Sequence, residues 1–415
     1  MLGGVSRRAA AAAAGSTEHV AWSREAVIYE VNVRQYTREG TFKAFAKHLP
    51  RLARMGVGIL WLMPVHPIGK LHRKGTLGSY YSVADYKAVN PEFGTLEDLR
   101  ALVRQAHALG MKLIIDWVPN HTSRDHPWLR EHKDWYQLDA KGEPFPVTFQ
   151  AGTPHEEQWF DVTALNYAKP GLRAAMIDAM SYWLREADID GFRCDVAFLV
   201  PVDFWVEART SFEAIKPVFM LAEAQVPALH PVFDMSYGWD TVEIMKSIAQ
   251  GKAGADALRE WVRGLPHGFP ASAYRMRFTN NHDFNSWQGS DPELYGQAYP
   301  AMAMLSFTLP GMPLIYGGEE AGLARKLEFF EKDPIDWSQL SREPMYRELI
   351  ALKKRNPALA NGAYGGSIEV LDAGNDKLFA FRRKLGGNTV EVTVNLSAGK
   401  QGALDPWQWK IGESH

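Results

Sequence analysis

The chain predicts an α/β fold: a (β/α)8 TIM barrel with an inserted loop domain after strand 3 and a small C-terminal antiparallel β-domain. Three observations predict it. Apolar runs alternate with helical patterns over most of the 415 residues, as expected for parallel strands packed between helices. Eight such runs occur, which favours a closed barrel over an open sheet. Four polar motifs sit at the ends of apolar runs, in fixed order: Lys112 to His121, Asp190 to Asp195, Met220 to Glu223 and Phe278 to Asp283. A carboxylate just past a strand buried on both faces is costly unless it faces a cleft. Four repetitions describe one site built from several strand ends, where barrel enzymes collect their catalytic groups.

The elements follow in order. Residues 1–20 read as a leader outside the fold, with Arg7-Arg8 before an alanine run, Ala9 to Ala14, that is only weakly apolar. The barrel is expected over 21–121 and 167–353. Val27 to Val33 reads as the first strand, and Phe42 to Met55 as a helix stopped by Gly56. Val57 to Leu62 is the second strand, Leu96 to Leu109 a helix stopped by Gly110, and Met111 to Trp117 the third strand. Leu172 to Leu184 is a helix, and Ile189 to Cys194 the fourth strand. Pro217 to Ala222, Val232 to Met235, Tyr274 to Thr279 and Met312 to Tyr316 supply strands five to eight. Residues 122–166 break the rhythm with a polar stretch rich in proline and aromatics and no helical period. A long insertion after a barrel strand shapes the cleft. From 354 to 415 the pattern changes to short alternating strands at Ser367 to Leu371, Leu378 to Arg382 and Thr389 to Val394, with turns at Gly365-Gly366, Asn375 and Gly386-Gly387.

Composition narrows the function. With 46% hydrophobic residues the chain can build a large core, and a formal net charge of −2 gives no general attraction to nucleic acid or anionic membrane. No apolar stretch is long enough to span a bilayer. The single cysteine, Cys194, excludes an intramolecular disulfide, and its position between Arg193 and Asp195 points it into packing. Fourteen Trp, 15 Tyr and 20 Phe supply both core and rings suited to stacking on sugar faces. No zinc spacing, Walker loop or dinucleotide fingerprint is present, which argues against a metallohydrolase and against nucleotide or hydride chemistry.

The motifs carry paired-carboxylate chemistry. Arg193 and Asp195 lie two apart on a strand and point the same way, into the barrel mouth. The guanidinium is expected to hold Asp195 ionised, with a lowered pKa, as suits a nucleophile. Glu223 stands between Ala222 and Ala224, and apolar neighbours are expected to raise its pKa, as suits a general acid. One ionised and one protonated carboxyl on adjacent strands is the layout of a retaining glycosidase. His121 and His282 adjoin the motifs and can donate to substrate hydroxyls.

Together the four motifs resemble the conserved regions of the α-amylase family, glycoside hydrolase family 13. The resemblance runs from about Val27 to the C-terminus. It implies retaining cleavage or transfer of α-glucosidic bonds in an α-glucan or malto-oligosaccharide. By matching position it implies Asp195 as nucleophile, Glu223 as general acid/base and Asp283 as third carboxylate. It further implies Arg193 orienting Asp195, and Asp116, His121 and His282 completing the subsite of the reacting sugar. The segment Gly78 to Tyr86 resembles the family's stacking segment, with Tyr81 under the sugar ring. Asn120 matches a calcium ligand of the family, but Ala164 stands where an Asp is usual, so no cofactor is expected to be required and a calcium site is in question. Phe198-Leu199 replace a Lys-His pair that many relatives carry, which sets ordinary starch endo-specificity in question.

The leading expectation is an α-1,4-glucan hydrolase. The alternative is a transglycosylase or isomerase on the same site, with Phe198, Trp205, Tyr237 and Trp239 as candidate acceptor aromatics. A catalytically dead glucan-binding protein is the third reading, opposed by the presence of all three carboxylates. The compartment is expected to be cytoplasmic, with a secreted or periplasmic location as the alternative.

Overall fold

The computed structural model describes residues 18–415. Most of the expected leader falls on residues 1–17, outside the described residues. The chain opens with three parallel strands, β1 (Ile28–Val31), β2 (Ile59–Leu62) and β3 (Lys112–Trp117). An insertion follows, in which β4 (His121–Ser123), β5 (Pro146–Phe149) and β6 (Glu157–Ala164) form a small antiparallel sheet with β6 in the middle. The parallel series then resumes with β7 (Gly191–Cys194), β8 (Phe219–Ala222), β9 (Met235–Tyr237), β10 (Tyr274–Arg277) and β11 (Met312–Tyr316). Around the ring β3 pairs with β7, and β11 closes onto β1, so the eight parallel strands form a barrel. Four antiparallel strands follow the barrel: β12 (Ser367–Leu371), β13 (Leu378–Leu385), β14 (Asn388–Asn395) and β15 (Trp409–Ser414).

Local chemistry sets the element ends. Thr95 caps the helix Leu96–Ala108 in a reciprocal box with Asp98. Gly56 ends the helix Leu49–Met55 in a left-handed conformation, φ 99°. The expected single helix over 42–55 is two helices, Phe42–Ala46 and Leu49–Met55, because Pro50 can stand only in a first turn. The sixth barrel strand begins at Met235 rather than Val232. Asp234, just before it, is committed to other partners: it accepts from Arg209 at 2.9 Å and from the Met220 amide at 2.8 Å.

The barrel strands are buried along nearly their whole length, so their side chains fill the interior and the shell under the helices. The helix Glu343–Arg355 packs on the helix Tyr299–Thr308 before the chain enters the last sheet. That sheet is fixed to the barrel by buried polar groups. Arg383 donates to the Thr308 carbonyl at 3.1 Å, and Asn361 donates to the Ser23 and Ala26 carbonyls at 2.8 and 3.0 Å beside β1. Among the described residues no helix is long and apolar enough to cross a membrane.

Candidate active site

All four sequence motifs end at the same, C-terminal, mouth of the barrel, and one guanidinium ties three of them together. Arg193, on β7, is fully buried. Its Nη1 lies 2.9 Å from Asp116 Oδ1 and 3.1 Å from Asp195 Oδ1, its Nη2 makes an ion-pair contact of 3.0 Å with Glu223 Oε1, and its Nε donates to the Tyr237 hydroxyl at 3.3 Å. The planar fork of arginine suits this division among carboxylates, which a lysine point charge could not reproduce. β7 can lie this close to β8 because residue 191 is glycine. Its φ is +149°, and a Cβ there would fall 1.9 Å from the Phe219 carbonyl oxygen.

The next turn holds Glu223. Val196 takes a left-handed conformation, φ 34° and ψ 45°, which is costly for a β-branched residue. Its amide then donates to Glu223 Oε2 at 2.7 Å. Glu223 is therefore not in an apolar setting, as its alanine neighbours suggest. One oxygen faces Arg193 and the other a backbone N–H. Sequence neighbours say little about the space a side chain enters when the strand ends there.

The second half of the site faces this cluster. Tyr81 donates to Asp116 Oδ2 at 3.0 Å, an oxygen that also accepts from Trp61 Nε1 at 3.1 Å. The Tyr81 ring stacks on His282 at 5.5 Å and 21°. His282 Nε2 sits 2.8 Å from the Tyr81 hydroxyl and 3.3 Å from Asp283 Oδ2. Its Nδ1 is 2.6 Å from Glu30 Oε1. Glu30 lies outside the four motifs, and motif reading misses it. It sits inside the apolar first strand, fully buried, and a lone carboxylate in such a run is the signal that could find it.

Burial and charge balance together set the titration of Asp195, Asp116 and His282. Five carboxylates, Glu30, Asp116, Asp195, Glu223 and Asp283, share Arg193 and His282. Burial pushes Asp195 well above the usual carboxylate range, and Glu223 adds to this, while Arg193 opposes it without prevailing. The expectation of a lowered Asp195 pKa is thus corrected: Arg193 does pull it down, but burial and the nearby Glu223 outweigh that pull. Burial likewise lifts Asp116, to about 6, against the pull of Arg193 and His282. His282 moves the other way. Burial depresses it, but Asp283 and Glu30 outweigh burial and raise it to about 9. It is an imidazolium at neutral pH, donating through Nδ1 to Glu30 and through Nε2 to the Tyr81 hydroxyl.

His121 meets this network through the backbone of Tyr81. It begins β4 at the root of the insertion, and burial lowers its pKa to about 3, so it is neutral. Its Nδ1 is 3.2 Å from Asn120 Nδ2, and its ring meets the edge of Trp159 from β6. Cys194 is buried and faces away from the mouth, as expected. Of the candidate acceptor aromatics, Phe198 is exposed and Trp239 half-buried beside Tyr237. Trp205 is core, donating to the Ala197 carbonyl at 3.1 Å, and Tyr237 is buried under Arg193. Those two cannot line an open acceptor site.

Asn120, the expected calcium ligand, lacks the acidic partner usual at position 164. On β6 the Asp161 carboxylate is paired at 3.2 Å with the Lys74 ammonium, position 164 is alanine, and the Asn120 amide nitrogen faces His121. An ammonium already neutralises the one carboxylate of the segment Asp161 to Asn166. Among the described residues no group of three or more His, Cys, Asp or Glu could hold a metal ion.

Comparison with known proteins agrees with this geometry. Residues 17–215 match the family model for the α-amylase catalytic domain. The solved structure of an α-amylase from Lactobacillus plantarum superposes with a TM-score of 0.81 and 32% identity, over 91% of this chain and 90% of that one. The chain belongs to the α-amylase family. A maltogenic α-amylase structure from Thermotoga neapolitana gives the same TM-score, 0.81, at 29% identity over 90% of this chain and 86% of the other. Among curated relatives, α-amylase MalA of Haloarcula japonica is 28% identical over 91% of this chain and 56% of its own length. An α-1,4-glucan:maltose-1-phosphate maltosyltransferase of Rhodospirillum rubrum is 29% identical over 91% of this chain and 58% of its own length. The chain therefore spans between half and two thirds of these curated relatives.

Proposed function

We propose that this member of the α-amylase family is a retaining glycoside hydrolase that cleaves α-1,4-glucosidic bonds in starch-like glucans or malto-oligosaccharides. The observation that carries the reading is the Arg193 fork, which presents Asp195 and Glu223 together at the barrel mouth with Asp283 and His282 facing them.

In this reading an Asp195 carboxylate oxygen attacks the anomeric carbon. The glycosidic bond breaks as Glu223 gives its proton to the leaving oxygen. Glu223 then takes a proton from water, which displaces Asp195 from the sugar. Burial and the nearby Glu223 favour a proton retained on the Asp195–Glu223 pair, and this reading places it on Glu223. Two carboxylates sharing one guanidinium retain a proton between them more readily than either alone. Asp283 and the His282 imidazolium bind hydroxyls of the reacting sugar, and Tyr81 stacks under its ring. Glu30 acts as a positioning residue that fixes the His282 ring. No step needs a metal.

Transfer to a sugar hydroxyl instead of water is the second reading. It is favoured by the exposed Phe198, which follows Asp195 in the turn after β7, and by the maltosyltransferase relative. The test is product analysis on soluble starch and short malto-oligosaccharides, with Asp195→Asn as control. Shorter sugars, absent from the control and released as the α-anomer, support hydrolysis with retention. Longer or isomerised sugars support transfer. No change on any α-glucan refutes both.

A further inference from the structure

The site described so far accounts for one sugar ring. Beside it lies an aromatic surface with no assigned role. Phe284–Gln288, directly after Asp283, forms a single π-helical turn, a local widening that recurs at functional sites. It presents Trp287 outward, 55% exposed, the most exposed tryptophan among the described large hydrophobic residues. Trp287 follows Asp283 closely in sequence, and its open ring face is a surface that an apolar ligand face can cover.

Trp287 does not stand alone. Its ring centre is 5.3 Å from Phe329, and Phe329 lies nearly parallel to Tyr81 at 6.4 Å and 12°. The three rings step from the reacting centre to the surface. The two loops that carry them are fixed to one another: Asn285 accepts from the Leu327 amide at 2.9 Å and donates to the Arg325 carbonyl at 3.1 Å. The loop is also held from the other side, where the Leu77 amide donates to the Phe330 carbonyl at 3.0 Å. The platform is therefore built, with little rotamer freedom left to lose on binding.

Its direction follows from the barrel. Tyr81, Phe329 and Trp287 follow β2, β11 and β10, which lie in one arc with β1 between them. Asp195 and Glu223 follow β7 and β8, on the opposite arc. The leaving group departs on the Glu223 side, so the aromatic arc faces the part of the glucan that stays on Asp195.

Resting on the activity proposed above, we infer that Trp287 and Phe329 form a donor-side subsite that stacks on glucose rings beyond the reacting one. The ligand class is a malto-oligosaccharide extended toward its non-reducing end. Stacking uses the apolar C–H faces of the sugar and requires no charge.

Two measurements test it. First, calorimetric binding of maltoheptaose to the Asp195→Asn protein, with and without Trp287→Ala. Second, in active protein, the ratio of kcat/KM for maltoheptaose to that for p-nitrophenyl α-glucoside, which places no sugar on the donor side beyond the reacting one. Trp287→Ala is expected to weaken maltoheptaose binding, and to lower the ratio, by roughly three- to tenfold. Trp287→Phe should recover most of both. Unchanged binding, an unchanged ratio, or no maltoheptaose binding by the Asp195→Asn protein overturns the subsite. Trp287-dependent binding with no turnover of any α-glucan leaves the subsite standing and overturns the proposed activity instead.

Discussion

Replacing Glu30 by glutamine should drag the His282 titration toward neutrality. His282 rises from 6.5 to about 9 in the folded protein, a difference worth about 3 kcal/mol. Burial works against that rise, so the carboxylates around the ring supply more than the net amount. They are Glu30, at 2.6 Å from Nδ1, and Asp283, at 3.3 Å from Nε2. The other groups facing the ring are Asp116, Arg193, the Tyr81 hydroxyl and the edge of Trp61. In Glu30→Gln the amide oxygen would still accept the Nδ1 proton but would bring no charge. The loss of one of two close anions should lower the His282 pKa by at least about 1 unit, or ~1.4 kcal/mol. A histidine raised on folding stabilises the protein fully below its unfolded value of 6.5, and that contribution disappears as pH rises through about 9. In the variant it disappears earlier, so the alkaline limb of both stability and kcat/KM moves to lower pH. Histidine-labelled protein followed by NMR from about pH 5 to about pH 10 reads the pKa directly, with His282→Asn assigning the signal. A His282 pKa within about 0.3 units of the parent would show that Glu30 does not control the ring.

Further predictions follow from the same geometry. Asp195→Asn should remove nearly all turnover while leaving the thermal midpoint within a few degrees, checked by product chromatography and calorimetry. Arg193→Lys keeps the charge but not the fork, so kcat should fall by roughly 100-fold or more, with the steady-state rate on maltoheptaose as readout. Gly191→Ala forces a Cβ onto the Phe219 carbonyl and a non-glycine residue at φ +149°; destabilisation above ~3 kcal/mol is expected in urea unfolding. A chelator should leave the thermal midpoint unchanged, whereas Lys74→Met, which strips the buried Asp161 of its cation, should lower it.

Much of this arrangement is legible in the sequence because barrel strands carry a simple signal. β11 coincides with the expected run, and the apolar segments of β2, β3 and β8 lie within theirs, since burial on both faces demands continuous apolar sequence. The same signal fails at β9. Val232 and Phe233 are as apolar as a strand but belong to the turn before it, and hydropathy cannot separate the two. β15 escapes it as an exposed edge strand in which only Trp409 and Ile411 alternate inward. The insertion has little periodicity because β4 and β5 are three and four residues long. At the site, residue identities are legible but their electrostatics are not. The pKa of Asp195 depends first on its burial and then on the carboxylates around it, neither of which is known before the ring closes. Glu30 escapes for a related reason: its partner, His282, lies 252 positions away.

The common dependence of Asp116, Asp195 and Glu223 on one guanidinium has an evolutionary corollary. Their substitutions should be strongly epistatic, because each removal changes the field felt by the other two, and double-mutant cycles among them should be far from additive. No one of the three can drift while its neighbours stay tuned. Loops on the opposite rim, such as those carrying Trp287 and Phe329, reach Arg193 only through the Tyr81 ring. Diversification of what is bound can therefore proceed there while the reacting centre is held fixed by a single residue.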